Sequence, residues 1–267
     1  MLKQRIITAV ILVVFLLLAL LNVNPLYWRA FITAAVVIAF WEWLRFCEID
    51  NVAIQIASYL AFGACFYALQ AGMLPMSIAI VGACLLWVAL LLFIVSDALE
   101  IFHQKILKLV IGIVILTVAG WLIIEFKSIA NGPWWIICFF VSVFAADVGA
   151  YFVGRRFGKT KLAPKVSPGK TVEGLLGGLA LVSIIFTPIL FSLFAASDAA
   201  LILLVVLLTA LVSVGGDLFE SKLKRFVGLK DSSQILPGHG GVLDRIDSLL
   251  SGAPVFSLGL LMLGYLG

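Results

Sequence analysis

The sequence predicts an all-α, polytopic integral membrane protein of about nine transmembrane helices, with its N-terminus in the cytoplasm. Three observations carry this expectation. The 267 residues are 64% hydrophobic and only 12% charged, with a mean hydropathy of +1.22, which excludes a water-soluble domain. The apolar stretches run unbroken for about 18 residues or more, the length that crosses hydrocarbon as a helix. They are continuous and not alternating, so helices rather than barrel strands satisfy the backbone in lipid. Finally, counting nine spans sorts the basic residues onto one side.

In chain order, the first span, 6–22, follows Lys3 and Arg5 as a secretory leader would. The LNVNPLYW after it offers no small-residue cleavage site, so a retained span is expected. Spans at 27–46, 52–70, 75–96 and 106–126 have short loops and little internal polarity. Residues 1–130 therefore read as an N-terminal transmembrane scaffold facing lipid or a second copy. Residues 131–267 read as the catalytic transmembrane region. It holds spans 133–153, 171–194, 199–217 and 248–267, separated by long loops at 154–170 and 218–247 that carry 11 of the 18 basic residues. Placing the loops on alternate sides puts 16 of the 18 basic residues together and leaves only Arg29 and Lys127 opposite. The positive-inside rule makes the crowded side cytoplasmic, which puts the C-terminus outside. Cys47, Cys65, Cys84 and Cys138 lie in or beside apolar spans without a CxxC pair, and are expected to pack as small hydrophobes. There is no internal repeat.

Polar residues cluster at the cytoplasmic ends of the later spans. In FAADVGAYFVGRRFGK (144–159), Asp147 sits inside an apolar span, where a carboxylate costs about 2.5–3.5 kcal/mol. Ala146, Ala150 and Gly154 recur every fourth residue, a small-residue ridge that lets another helix approach. In KTKLAPKVSPGKTVEGLLGG (159–178), the SPGKT segment falls short of a Walker loop, because Pro164 stands where the pattern needs glycine and no strand precedes it. Lys170 and Thr171 begin a span, where free amides favour anions, and Gly174, Gly177 and Gly178 permit close backbone approach. In GGDLFESKLKRFVGLKD (215–231), Asp217, Ser221, Lys224 and Arg225 share one helical face, while Phe219, Leu223, Phe226 and Val227 share another. This predicts an amphipathic helix at the membrane interface. An acid among cations suits a metal–phosphate site, because Mg²⁺ takes carboxylate oxygens while Lys and Arg take phosphate. In GHGGVLDRID (238–247), glycine amides around His239 offer an oxyanion cradle, and Asp244 and Asp247 share a face at the start of the last span.

Residues 221–247, SKLKRFVGLKDSSQILPGHGGVLDRID, spell S-x-x-K-R-x4-K-D-x-S-x2-L-P-x-H-G-G-x2-D-R-x-D. This signature resembles that of the phosphatidate cytidylyltransferases, the CDP-diacylglycerol synthases of bacterial type. AADVGAYFVGRRFGK and SPGKTVEG are similar to the family's other cytoplasmic elements, so the resemblance covers roughly 144–247. What it implies is a homodimeric inner-membrane enzyme that joins CTP and phosphatidic acid at the cytoplasmic leaflet. The products would be CDP-diacylglycerol and pyrophosphate. Mg²⁺ is the implied cofactor, with room for a second cation, and nucleic acid is not among the implied partners.

On that footing Asp217 and Asp244 are expected to hold Mg²⁺, supported by Asp147. Lys170, Lys224, Arg225 and Arg245 would neutralise the triphosphate and the lipid phosphate, with Lys230 beside them. His239, Gly240 and Gly241 would contact phosphate, Asp231 and Asp247 would orient the basic groups, and Ser167, Thr171, Glu173 and Ser221 complete the substrate-binding set. Lys161 and Lys165 are expected to matter less. Two rival readings remain at this point. A CTP-dependent lipid-alcohol kinase would transfer the γ-phosphate and release CDP. A transporter of an anionic substrate would use Asp147 as its coupling site, though repeated halves and midplane breaks are missing from the sequence.

Overall fold

The computed structural model describes residues 2–21, 24–95, 103–164 and 166–266; Lys165 lies outside them. Among the described residues there are nine helices, one for each predicted span: α1 (Leu2–Leu21), α2 (Pro25–Cys47), α3 (Val52–Gln70), α4 (Met76–Val95), α5 (Lys105–Glu125), α6 (Gly132–Phe157), α7 (Val172–Leu193), α8 (Ala196–Phe226) and α9 (Leu243–Met262). Seven of them, α2 to α8, are long and apolar enough to cross a membrane. Local chemistry sets several of the starts. Asn24 precedes Pro25 and its side chain accepts from the Leu26 amide at 2.9 Å; Asn51 does the same for Ala53 at 2.9 Å. Both satisfy helix N-terminal donors that have no partner within the helix.

Antiparallel succession gathers the charged helix ends. Lys108, at the start of α5, meets Glu48 past the end of α2 at 3.3 Å and lies over the Phe226 ring. Lys222 near the end of α8 donates to the carbonyls of Phe93 and Ile94 at the end of α4, both at 2.9 Å. At the opposite end, Lys127 donates to the Ala19 carbonyl at 2.9 Å and faces the Trp28 ring. Between the two ends lies one aromatic-rich core shared by both halves of the chain, including Trp28, Phe40, Trp43, Phe126, Phe139 and Phe256. The buried indole N–H groups of Trp28 and Trp43 donate to the carbonyls of Ile123 and Lys108 at 3.0 and 2.8 Å.

The small-residue ridge predicted on α6 is real, and its partner is the glycine series of α7. A side chain at Gly178 would meet the Ala146 carbonyl at 2.5 Å, and one at Gly174 the Ala150 carbonyl at 2.9 Å. The two backbones are thus in contact, which is possible only where neither helix carries bulk.

Three expectations need correction. The 154–170 stretch is not simply loop: α6 continues to Phe157, then an antiparallel hairpin forms from β1 (Lys161–Ala163) and β2 (Ser167–Thr171), which runs straight into α7. Strands this short, one containing Pro168 and Gly169, carry too little alternation to be read from sequence. The 215–231 segment is not a separate interfacial helix either. It is the last part of a 31-residue α8 whose Leu218, Phe219 and Leu223 are buried in the bundle. At about 1.5 Å per residue, a helix of that length outruns a hydrocarbon layer of about 30 Å, so its charged end is held by protein. Finally, Cys65 is exposed, whereas Cys47 and Cys138 are buried as expected; all four cysteines are unpaired thiols.

Candidate active site

The charged end of α8 is the centre of the arrangement. Its first carboxylate, Asp217, is half-buried; Lys170, on the last residues of β2, reaches it at 2.6 Å, and the Ser221 hydroxyl one turn on donates to it at 3.1 Å. Lys170 arrives there because Thr171 ends the strand and caps α7, its hydroxyl accepting from the Gly174 amide at 3.1 Å. Glu173 turns the other way: both its oxygens take the amides of Lys159 and Thr160, at 3.0 to 3.1 Å, and hold the turn out of α6.

Two turns further along α8, Lys224 lies between two acids. Its Nζ is 2.6 Å from Asp244 on α9 and 3.1 Å from Glu220. The side chains of these three residues are only 11%, 5% and 3% exposed, so each charge depends on the others. Asp244 is held at both oxygens: the first takes Lys224 alone and keeps a lone pair, while the second accepts from the Ser232 amide and hydroxyl and from the Gly241 amide, at 2.8 to 3.0 Å. Orientation of Lys224 therefore falls to Glu220 and Asp244. The expectation for Asp231 and Asp247 is corrected, for neither forms an ion pair among the described residues, and Asp247 instead accepts from the Ser248 amide at 2.7 Å.

The PGHGG turn is closed by a bridge between Leu236 and Gly240. Gly238 and Gly240 have φ of 77° and 82°, conformations that disfavour any side chain. Two of its amides are already engaged, His239 to the Leu236 carbonyl and Gly241 to Asp244. The predicted oxyanion cradle thus narrows to the Gly238 and Gly240 amides, in a rigid turn that also aims the His239 side chain. The buried Nδ1 of His239 has no hydrogen-bond partner in the protein.

These elements enclose a cavity of about 760 Å³. Its polar wall carries Asp147, Asp217, Lys224, Asp231, His239, Asp244, Arg245 and Asp247. Its other wall is apolar, built by Val13 and Leu16 of α1, Ala34, Ala35 and Ile38 of α2, and Phe144 of α6. Lys170 touches this space through Asp217. Arg225 and Lys230 are exposed and do not line it; Ser167 lies on the hairpin, and Ser221, Thr171, Glu173, Gly240 and Gly241 act on neighbouring backbone and side chains. The Arg225 difference is geometric, since consecutive helical residues point about 100° apart and Lys224 takes the inward position.

Two acids escaped sequence reasoning. Glu220, buried at 2% exposure, anchors Lys224. Glu42, completely buried on α2, accepts hydrogen bonds from the loop that precedes α9. The signal for Glu42 was present in WEWL, a carboxylate inside an apolar span, the same signal that marked Asp147. The first half is thus neither without internal polarity nor remote from the cavity.

Among the described residues no three metal-ligating side chains converge into a ready-made cage. The cavity instead offers separate carboxylates, two of them held by lysines. That donor set suits Mg²⁺, which commonly takes one or two carboxylates and completes its shell with water and substrate phosphate.

A family model described as "Cytidylyltransferase family" matches residues 3–263. A phosphatidate cytidylyltransferase of Haemophilus influenzae is 37% identical over 281 aligned positions, covering 96% of this chain and 98% of its own. One of Pseudomonas aeruginosa is 39% identical over 272 positions and 96% of both chains. One of Helicobacter pylori reaches 51% identity over 118 positions, 44% of each chain. The first two alignments cover nearly the whole chain, so the similarity extends beyond 144–247 into the N-terminal spans.

Proposed function

The chain belongs to the cytidylyltransferase family, and from that premise we propose that the two-sided cavity is where CTP and phosphatidate meet. The activity is transfer of CMP from CTP to phosphatidate, giving CDP-diacylglycerol and pyrophosphate. The single observation that carries the site assignment is the lining: one cavity has a charged wall fit for phosphates and an apolar wall fit for acyl chains.

A phosphate oxygen of the lipid attacks the α-phosphorus of CTP, and the bond to the bridging oxygen of the departing pyrophosphate breaks. The lipid phosphomonoester has a second pKa of about 6, so it is largely dianionic near neutral pH and needs no strong base. The demand on the protein is to bring two anions together and stabilise the leaving group. Lys224, fixed by Glu220 and Asp244, and Arg245 supply positive charge to the phosphates, and Lys170 adds to it beside Asp217. His239 turns its ring to the same space. Asp217 and Asp244, with Asp147 nearby, would hold Mg²⁺, which when bound offsets triphosphate charge; Asp147 would also serve any second cation. The positive-inside distribution supports a cytoplasmic site in the bacterial inner membrane. The homodimer belongs to this reading through the family resemblance, and mass measurement of the detergent-solubilised protein tests it.

The decisive experiment is a product assay on purified protein in detergent–phosphatidate micelles with CTP and Mg²⁺. Metal-dependent pyrophosphate and CDP-lipid in equal amounts are expected. CDP released only when a lipid alcohol is supplied would overturn this reading in favour of a kinase.

A further inference from the structure

Glu42 stands outside every role assigned above, yet all its acceptor positions are filled. Oε1 accepts from the Ser233 hydroxyl at 2.5 Å and the Val242 amide at 2.9 Å. Oε2 accepts from the Ser232 hydroxyl at 3.0 Å and the Leu243 amide at 2.6 Å. The four donors lie between 190 and 201 positions away along the chain, all in the loop that enters α9 or its first residue. The N-cap of α9, Val242, makes no side-chain capping bond. The helix-start amides that a local Ser or Asp would normally satisfy are instead taken by a carboxylate from a different helix.

We propose that Glu42 is a positioning residue for nucleotidyl transfer, fixing the 231–244 loop so that Asp244, His239 and Arg245 face the cavity. The inference rests on the site assignment made above. Three observations separate it from simple helix capping. Ser232 is the hinge: its one hydroxyl lies 3.0 Å from both Glu42 and Asp244, and a single proton serves one at a time. Whatever reorients Glu42 therefore changes the donors available to Asp244, whose other oxygen pairs with Lys224. Arg45, one turn along α2, donates to the Ser232 carbonyl, so α2 grips that residue at two points. The glycine at 241 is required by the same contact, since a side chain there would run into Glu42 and Ser232. Because Ala34, Ala35 and Ile38 on α2 also line the apolar wall, one rigid helix sets the spacing between that wall and the charged end.

The test is Glu42→Gln, which keeps shape but replaces one acceptor oxygen with a donor. The serine hydroxyls can reverse and accept; a main-chain amide cannot, so either amide orientation sets donor against donor at Val242 or Leu243. Purified variant and wild type are compared for kcat, for KM of each substrate, and for half-saturating Mg²⁺. A readout without turnover is added: the Mg²⁺-dependent rise in unfolding temperature. Expected are a kcat lowered about tenfold or more, half-saturating Mg²⁺ raised about threefold or more, a smaller Mg²⁺-dependent rise, and phosphatidate KM unchanged. A lower unfolding temperature with unaltered kcat and Mg²⁺ dependence overturns the proposal and leaves Glu42 a cap. Should Glu42→Gln fail to fold, Ser232→Ala and Ser233→Ala carry the test, because each removes one hydroxyl and keeps both amide bonds. The Mg²⁺ requirement must then rise more in Ser232→Ala, and equal effects refute the hinge. Wild-type protein that yields no pyrophosphate overturns the site assignment together with this inference; an active wild type with an insensitive variant overturns this inference alone.

Discussion

Asp217→Asn separates the chemistry of the cavity from its stability. Asparagine keeps the shape and retains an oxygen for the Ser221 hydroxyl, 3.1 Å away; what it removes is the charge facing Lys170 at 2.6 Å. Those two side chains are 30% and 23% exposed, so the pair sits in water-screened surroundings and contributes roughly 0.2–1 kcal/mol. For a chain of this size that corresponds to a fall of at most about 4 °C in unfolding temperature. The effect on turnover is expected to be far larger. A carboxylate that holds a cation against the triphosphate acts on charge developing in the transition state, where removal of one such group costs about a hundredfold or more, or about 2.7 kcal/mol of barrier. The assay is pyrophosphate release in phosphatidate micelles across a Mg²⁺ titration, beside thermal unfolding of the same preparations. Asp198→Asn, at the exposed far end of α8, serves as the control and should leave both unchanged. Turnover within about threefold of wild type would refute the role given to Asp217. A fall in unfolding temperature above about 10 °C would refute the claim that the pair is marginal to the fold.

Other substitutions probe the remaining steps of the reasoning. Lys224→Gln strands two buried carboxylates and should cost about 3–5 kcal/mol along with activity; Arg225→Gln, one position on and exposed, should change stability by less than about 0.5 kcal/mol. Equal effects at the two positions in denaturation and turnover assays would contradict the orientation of α8. Gly178→Ala drives a methyl into the Ala146 carbonyl and should destabilise by about 1–3 kcal/mol. By contrast, Gly63→Ala in α3 meets nothing within 4 Å and should stabilise by about 0.5–1 kcal/mol; thermal unfolding in detergent distinguishes them. Lys161→Gln removes a bond to the Pro168 carbonyl inside the hairpin and should keep turnover within about twofold. A loss there as deep as at Lys224 would bring the hairpin into the site.

Glu42 and Glu220 show where sequence reasoning stopped. The argument that singled out Asp147, a costly charge inside an apolar span, applied equally to Glu42, but Glu42 had only Arg45 close by and no glycine motif beside it. Glu220 sat within a charged run and was hidden by it. Arg225 is the reverse case: it shares the face of Lys224 in a coarse helical reading, yet 100° of rotation sends one side chain inward and the other to the surface. Two of the PGHGG amides, those of His239 and Gly241, are engaged in the fold, because a tight turn consumes part of its own donors.

What the sequence determined by itself is everything that depends on neighbours a few residues away. Twenty apolar residues in a row specify a helix in lipid wherever they occur, the lysines and arginines sort by side, and Ala146-x3-Ala150-x3-Gly154 creates a flat face on one helix. The 27-residue signature that runs from the end of α8 into α9 carries the family resemblance. Only the tertiary structure decided which helices meet. An apolar helix in a bundle presents similar surfaces all round, so nothing local says that α2 stands against the entrance to α9. Nor does anything local say that Lys170 crosses to Asp217, or that Lys224 is clasped from both α8 and α9. Those contacts come from the simultaneous packing of all the helices, since a buried charge persists only where partners from distant segments converge on it.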